Sequence, residues 1–277
     1  MNNNPVINYY HSTESRLGYR LLKGVKHFGY YPAGKEDIPM LEAQMLMNEQ
    51  LAKKLALEAG SKVLDAGCGE GNVAIYLAKF HRLKLEAIDL LDFNIVNAKV
   101  NAMKQNQSQN VSFQVGTYMK LPYDNSSFDA VYTMETLVHA PDYRKALSEF
   151  FRVLKPGGNL VLFEYTLKPG HEVTSSEQVG MQRIKQINRV AAMPAFDEFT
   201  FGSMETKLLS AGFKQSKTTD ITQRMLPMLE QFYNKAKLIY RLFRVLHLEN
   251  HLINGMSAVE FYKNQSLWRY EITTGVK

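Results

Sequence analysis

Cysteine is nearly missing from this 277-residue chain, with Cys68 the sole example. One thiol excludes an intrachain disulfide and fits a reducing, cytoplasmic setting. Long hydrophobic runs are also missing. No stretch approaches the ~18 apolar residues of a membrane span, so no spanning helix is expected. The first residues are Asn-rich and polar and lack the apolar segment of a secretory signal. There is no internal repeat and no low-complexity tract. Net charge is small, +6. It suits an anionic ligand or a membrane surface, and equally a plain solvated basic surface. That leaves peripheral membrane contact and a homo-oligomer open. What the chain has in quantity is apolar residues, 45% of the total, enough for a sizeable core. The length allows one large domain or two small ones.

The order of elements is legible from periodicity. "IPMLEAQMLMNEQLAKKLALE" has apolar residues at helical spacing and predicts a helix over 38–58. "KVLDAG" reads as a short buried strand, followed by the helix "NVAIYLAKF" and the strand "LKLEAID". The helix "FNIVNAKVNAMKQNQ", the strand "VSFQVG" and the strand "FDAVYTM" come next. Then come the helix "YRKALSEFFRVL", a turn at "KPGG" and a fifth strand, "NLVLFEYT". Strands alternating with helices imply a doubly wound, mostly parallel α/β sheet, with ligands at the carboxyl ends of its strands. After Thr166 the rhythm changes. "SEQVGMQRIKQINRVAAM" and "METKLLSAGF" read as helices, and "KQSKTTDIT" and "LWRYEITTGV" as strands. The long segment between those two strands puts Leu229, Phe232, Ala236, Ile239 and Phe243 on one helical face. It is either a core-facing helix or a lid over a site.

The strongest local signal is "VLDAGCGEGN". Asp65, Gly67, Gly69 and Gly71 lie where the first strand turns into the first helix. Glycine lets the backbone turn tightly and approach a ligand, and the helix offers it an amino end. Asp89 ends the second strand, 22 residues after Gly67, close to the roughly 20 expected of an acid gripping a ribose diol. A nucleoside-containing ligand follows. The spacing G-x-G-x-G differs from the G-x-G-x-x-G of dinucleotide folds.

With Asp65 ahead of it, this loop resembles motif I of the class I S-adenosylmethionine-dependent methyltransferases. The resemblance runs from Ser61 to Tyr165, through "LPYDNSSFDAVYTMETLVHAPDYRKALSEFFRVLKPGGNLVLFEY". "METLVHAPDYRKALSEFFRVLKPGG" further resembles sterol C-methyltransferases and related small-molecule enzymes, in which the stretch reads E-A-x-x-H-A-P. "HFGYY" near the start and "AVEFYKNQSLWRYEITTG" near the end are similar to the same group. The resemblance implies S-adenosyl-L-methionine as cofactor. It implies cofactor contacts from Asp65, Gly67, Gly69, Gly71, Asp89, Leu90, Thr117, Tyr118 and Met134. Asp89 would hold the ribose, and Thr117 stands where an adenine-binding aspartate is common.

Rings crowd the amino-terminal segment. Five tyrosines, one phenylalanine and two histidines fall between Tyr9 and Tyr31. The resemblance implies that this segment caps the site, with substrate contacts at Tyr10, Tyr19, His27, Phe28, Tyr30 and Tyr31. Aromatic faces attract cations, whether the cofactor's sulfonium or a carbocation on the acceptor. The simpler reading is docking of the arm on the core.

Three residues are catalytic candidates. Glu164 ends the fifth-strand run and is expected to point into the pocket, where apolar neighbours would raise its pKa and suit it to take a proton; otherwise it pairs with a cation. His139 is a general base or a hydrogen-bonded helix-start residue. Glu135 would bind the methionine moiety or a substrate amine, or act with them. Cys68 has no evident partner base and reads as a small apolar residue. "HLENH" lacks the Glu directly after the first His that a zinc protease helix needs, so no metal site is assigned. Lys235, Lys237, Arg241 and Arg244 read as the polar side of an amphipathic helix rather than a nucleic-acid face.

The expectation is one domain: a cap over 1–37, a cofactor-binding core over 38–168, and a substrate lid with the last strands over 169–277. It would transfer a methyl group to a hydrophobic small molecule, foremost to carbon of a terpenoid, sterol-like or other alkene-bearing secondary metabolite. The alternatives are O- or N-methylation of a quinone, phenol or amine, and a catalytically silent cofactor-binding partner.

Overall fold

The computed structural model describes residues 5–12, 25–248 and 252–277. Tyr19, Glu249 and His251 therefore lie outside the described residues. A seven-stranded sheet organises the chain in the order β3-β2-β1-β4-β5-β7-β6. Its strands are β1 (Lys62–Ala66), β2 (Lys84–Asp89), β3 (Val111–Val115), β4 (Phe128–Met134), β5 (Leu154–Leu167), β6 (Lys214–Asp220) and β7 (Trp268–Val276). All pairs from β3 across to β5 are parallel, and β7 runs antiparallel to both β5 and β6. This is the doubly wound, mostly parallel α/β architecture that the alternating pattern implies. In β1, Val63, Leu64, Asp65 and Ala66 are all buried, so the strand is covered on both faces. The polar run of β6 sits at the sheet edge, where charge discourages further pairing.

The helices are α1 (Pro5–His11), α2 (Met40–Leu55), α3 (Asn72–His81), α4 (Asp92–Lys104), α5 (Tyr143–Val153), α6 (Gln178–Val190), α7 (Ser203–Ser210), α8 (Thr222–Val245) and α9 (Ile253–Lys263). In α2, Ala43, Met47, Leu51 and Leu55 recur at four-residue steps and are fully buried. Each large apolar side chain so placed contributes about 1.5–3 kcal/mol. In α5, Asp142 caps the first turn by accepting from the Lys145 amide at 3.1 Å. Tyr143, Ala146, Leu147, Phe150 and Val153 then face the core.

Two local expectations change. "KPGG" is not a free turn but the irregular start of β5. Phe128 pairs with Leu154 and Ala130 with Asn159, so four residues bulge out between them. The end of β7 holds that bulge, since the Gly157 amide donates to the Lys277 carbonyl and the Lys277 amide to Gly158, both at 3.0 Å. The expected inward face of α8 holds at Leu229, Phe232 and Ala236 and departs from expectation at Ile239. Met225, Met228, Leu229 and Tyr240 are buried, whereas Ile239 is 53% exposed. Packing against α9, through pairs such as Tyr233 on Tyr262 at 4.4 Å, puts Tyr240 inside in place of Ile239.

Candidate active site

The sheet order reverses between β1 and β4, and a crevice opens at their carboxyl ends. Gly67 follows β1 with φ +112°, and a Cβ there would lie 2.6 Å from Thr136 Oγ1. Thr136 itself follows β4 and donates from that hydroxyl to the Ala66 carbonyl at 2.9 Å. The loops after the two strands therefore interlock through a contact only glycine permits. Gly71 differs from its neighbours in the motif. It does not line the cavity, and a Cβ there would lie 2.6 Å from the Phe113 ring. Its task is close packing of α3 on the sheet.

Asp89 sits at the end of β2 beside this loop. Its Oδ2 accepts from the Gly69 amide at 2.8 Å, and its Oδ1 from the Leu91 amide at 2.9 Å and Asn94 Nδ2 at 3.1 Å. Burial raises its pKa, and these donors oppose the rise. A carboxylate has about four acceptor positions, so one on Oδ2 stays open toward the cavity. Asp65 accepts from the Tyr132 hydroxyl at 2.6 Å across the β1–β4 pair. Burial pushes its carboxyl up to about 7, against the pull of that hydroxyl. Leu90, Thr117, Tyr118 and Met134 line the same end, together with Gly67, Cys68 and Gly69. The Tyr118 hydroxyl donates to the Thr136 carbonyl at 2.9 Å. Burial holds the Cys68 thiol well above its usual range, so it is an inert wall residue.

The expected direction of Glu164 is wrong. It is 2% exposed and does not line the cavity. Its Oε1 accepts from Thr133 Oγ1 and the Leu137 amide, both at 2.9 Å, and from the Thr136 amide at 3.3 Å. The Val138 amide is 3.4 Å from Oε2. The carboxylate thus caps the one-turn helix Leu137–His139. Burial still lifts it to about 8.

Of the two glutamates, the one that reaches the cavity is Glu135, one residue beyond β4. Its φ of +58° is left-handed, which a side-chain-bearing residue adopts only when its surroundings compel it. Glu135 Oε1 accepts from the Phe28 amide and the Tyr270 hydroxyl, both at 2.8 Å. Its Oε2 accepts from the Tyr165 hydroxyl. Tyr165 and Tyr270 are register partners on β5 and β7. Desolvation brings Glu135 to about 7 despite those donors.

His139 Nδ1 lies 2.8 Å from the Ala192 carbonyl. A carbonyl only accepts, so Nδ1 carries the proton and Nε2 accepts from the Tyr10 hydroxyl at 3.1 Å. Burial lowers its pKa to about 4, which keeps the ring neutral. His27 is likewise lowered to about 4, and its Nδ1 donates to the Phe28 carbonyl at 2.9 Å.

The aromatic arm splits in two. Tyr9, Tyr10, His27 and Phe28 line the cavity. Tyr30 and Tyr31, expected there, do not line it. Their amides donate to the Ala43 carbonyl at 2.8 Å and the Arg224 carbonyl at 2.7 Å. Tyr31 is buried against Ala43 and Met228, so these two rings dock the arm on α2 and α8. Lys26 joins the site with no sequence signal to mark it. Its ammonium lies 4.7 Å from the Tyr10 ring centroid and lines the cavity beside Asp89.

The cavity holds about 1480 Å³. Pockets for one small ligand span roughly 300–1,000 Å³, so there is room for two ligands side by side. One end is the glycine loop with its acids. The other is aromatic: Phe28 lies 6.3 Å from Tyr165, 6.0 Å from Phe232 and 6.4 Å from Tyr270. Phe196, Phe261 and Trp268 complete that wall. Alternation marks Trp268 and Tyr270 as one face of a strand, but nothing local ties that face to Tyr165.

Residues 64–162 match a family model described as a methyltransferase domain. An S-adenosyl-L-methionine-dependent Diels-Alderase, iccD, of Talaromyces variabilis is 35% identical over 273 residues, covering 97% of this chain and 93% of that protein. The 27-O-demethylrifamycin SV methyltransferase of Amycolatopsis mediterranei is 30% identical, covering 73% of this chain and 71% of its own. Among solved structures, the [4+2]-cyclase SpnF matches with a TM-score of 0.78 at 22% identity, over 98% of this chain and 95% of that one.

Proposed function

This chain belongs to the class I S-adenosylmethionine-dependent methyltransferases, with S-adenosylmethionine as its cofactor, and we propose that it methylates carbon of a hydrophobic, unsaturated small molecule. The observation that carries the reading is the two-ended cavity, acidic and glycine-lined at one end and aromatic at the other. When bound, the cofactor supplies an electrophilic methyl group on a sulfonium.

The residues at the glycine end fit that cofactor. The open acceptor of Asp89 suits a ribose hydroxyl, and the bare backbone at Gly67 and Gly69 admits close approach. Leu90, Met134, Thr117 and Tyr118 would flank the adenosine and methionine parts. At the other end, Phe28, Tyr165 and Phe232 would hold an apolar acceptor by burial and turn ring faces to developing positive charge. Residues 1–37 would serve as a cap and 169–277 as a substrate wall, both over the core of 38–168. Their contribution is alignment and exclusion of water.

A carbon nucleophile that gains a methyl group through its double bond must lose a proton. Glu135 is the group for that proton. It lines the cavity, its Oε2 accepts from one hydroxyl only, and a pKa near 7 matches a general base. Glu164, enclosed by its four donors, is not proposed for that role.

A second reading has its own support. The relative that spans 97% of the chain is named as a Diels-Alderase, and His139 and Glu164 are already engaged within the protein. Here the aromatic chamber would fold a polyene for cycloaddition with the cofactor bound and unspent, which needs no base. One experiment separates the two. Purified protein is incubated with isotopically methyl-labelled S-adenosylmethionine and a metabolite extract, and products are analysed by mass. Label on a carbon of the product, with an equal amount of S-adenosylhomocysteine, supports methylation. A product isomeric with its precursor, and no S-adenosylhomocysteine, replaces it with cyclisation. Label on oxygen or nitrogen overturns the carbon assignment.

A further inference from the structure

We propose that the exposed face of the carboxyl-terminal half of α8 docks the protein on an anionic membrane surface. Leu238, Ile239, Leu242, Val245 and Leu246 are 71%, 53%, 59%, 77% and 55% exposed. At 3.6 residues per turn they fall within an arc of about 120°. The opposite face of the helix carries the buried Leu229 and Tyr240. Scattered exposed leucines are ordinary, but a contiguous row of this kind marks a contact surface.

Charge identifies the occupant. Lys235, Lys237, Arg241 and Arg244 lie on the same stretch, and no acidic residue occurs between Glu230 and Glu249. Arg241, Lys237 and Arg244 border one edge of the apolar row, and Lys235 stands at its start. A second copy packed through this face would set these cations against their own equivalents. An anionic lipid surface complements both features, taking the leucines into the acyl boundary and the cations to the headgroups. No helix among the described residues is long and apolar enough to cross a membrane, so α8 would lie in the interface plane.

The same helix also leads inward. Phe232 and Lys235, which adjoin the exposed row by helical spacing, line the cavity, so the docking face borders the chamber wall. A hydrophobic acceptor dissolved in the bilayer would reach the chamber with little exposure to water. Docking itself does not depend on which reaction the chamber performs.

The test is sedimentation of the full chain with vesicles. One set is phosphatidylcholine alone, the other phosphatidylcholine and phosphatidylserine in equal parts. Binding is expected to the second set only, and to weaken as salt is raised. Replacing both Arg241 and Arg244 with alanine should weaken it about 10- to 30-fold. Leu238→Glu together with Leu242→Glu should abolish it, while circular dichroism and S-adenosylmethionine affinity stay unchanged. Equal partition to both vesicle types, or to neither, overturns the proposal. So does concentration-dependent self-association that the double glutamate variant removes without any vesicle binding. If that variant does not fold, the salt and lipid dependence of the unaltered chain decides the matter alone.

Discussion

The two ends of the cavity both rest on buried acids, yet they use them in different ways. At the β1–β2 end, Asp89 is fixed by two loop amides and one side chain, and keeps an acceptor for a ligand. At the β4–β5–β7 end, Glu135 ties together three separate parts of the chain: the arm through Phe28, β5 through Tyr165 and β7 through Tyr270. The first arrangement is local and rigid. The second exists only when distant segments have assembled. A polar anchor can be built within one β-α-β unit, whereas an aromatic chamber with a poised carboxylate needs the late strands and the arm.

The largest expected effect comes from the interlock at the rigid end. Gly67→Ala should abolish measurable cofactor binding in calorimetry and destabilise the fold by about 2–4 kcal/mol, through left-handed strain and a clash with Thr136. Normal affinity in this variant would mean the loop is slack and the comparison ill drawn.

Next is Glu135→Gln. It keeps the shape, with the amide oxygen still accepting from the Phe28 amide and the Tyr270 hydroxyl and the amide nitrogen donating to the Tyr165 oxygen, but removes the base. Turnover should fall ~10²–10⁴-fold with cofactor affinity retained. Glu164→Gln should leave turnover far closer to normal, because that carboxyl does not reach the cavity. The reverse ranking would restore Glu164 to the mechanism.

Asp89→Ala should follow, weakening cofactor binding by about 1.5–3 kcal/mol, since a charge-assisted acceptor is lost. The smallest effect is Tyr10→Phe. It removes a donor to His139 and should cost about 0.5–1.5 kcal/mol in acceptor binding, seen as a higher KM with kcat little changed.

The buried acids also set a pH dependence. Glu135, Glu164 and Asp65 have folded pKa values of about 7, 8 and 7, all above their unfolded values. The folded chain therefore binds more protons than the unfolded chain between those limits. Stability should be full below the unfolded pKa values and fall as pH rises through about 7 to 8. Thermal melts across that window should show a falling Tm in the parent and a flatter profile in Glu164→Gln. A rising Tm would show that these carboxyls are ionised in the fold.

Much of the rigid end was legible in the chain. The glycine spacing, Asp65 and Asp89 sit within one β-α-β unit, and backbone geometry alone requires glycine at Gly67. The inner strands β1, β4 and β5 were legible because burial on both faces leaves mainly apolar runs. The aromatic end was legible only in part. The sequence points to Glu135, His139 and Glu164 alike as catalytic candidates, and its strand-end position makes Glu164 look like the one that faces the pocket. Two residues at neighbouring strand ends look alike in sequence. Which one caps a helix and which one faces the cavity depends on the backbone after β4, where Glu135 takes a positive φ.

The sequence by itself determined the order of strands and helices, the glycine-rich turn and the acid that follows it. These depend on residues a few positions apart, where periodicity and backbone freedom act directly. Only the tertiary structure decided which rings dock and which line the chamber, and that Tyr165 meets Tyr270. It also set the α8 face that stays exposed. Those outcomes turn on sheet register and on helix packing between segments as far apart as Gly29 and Met228, 199 residues, and a one-position rotation or slip exchanges the buried set for the exposed one.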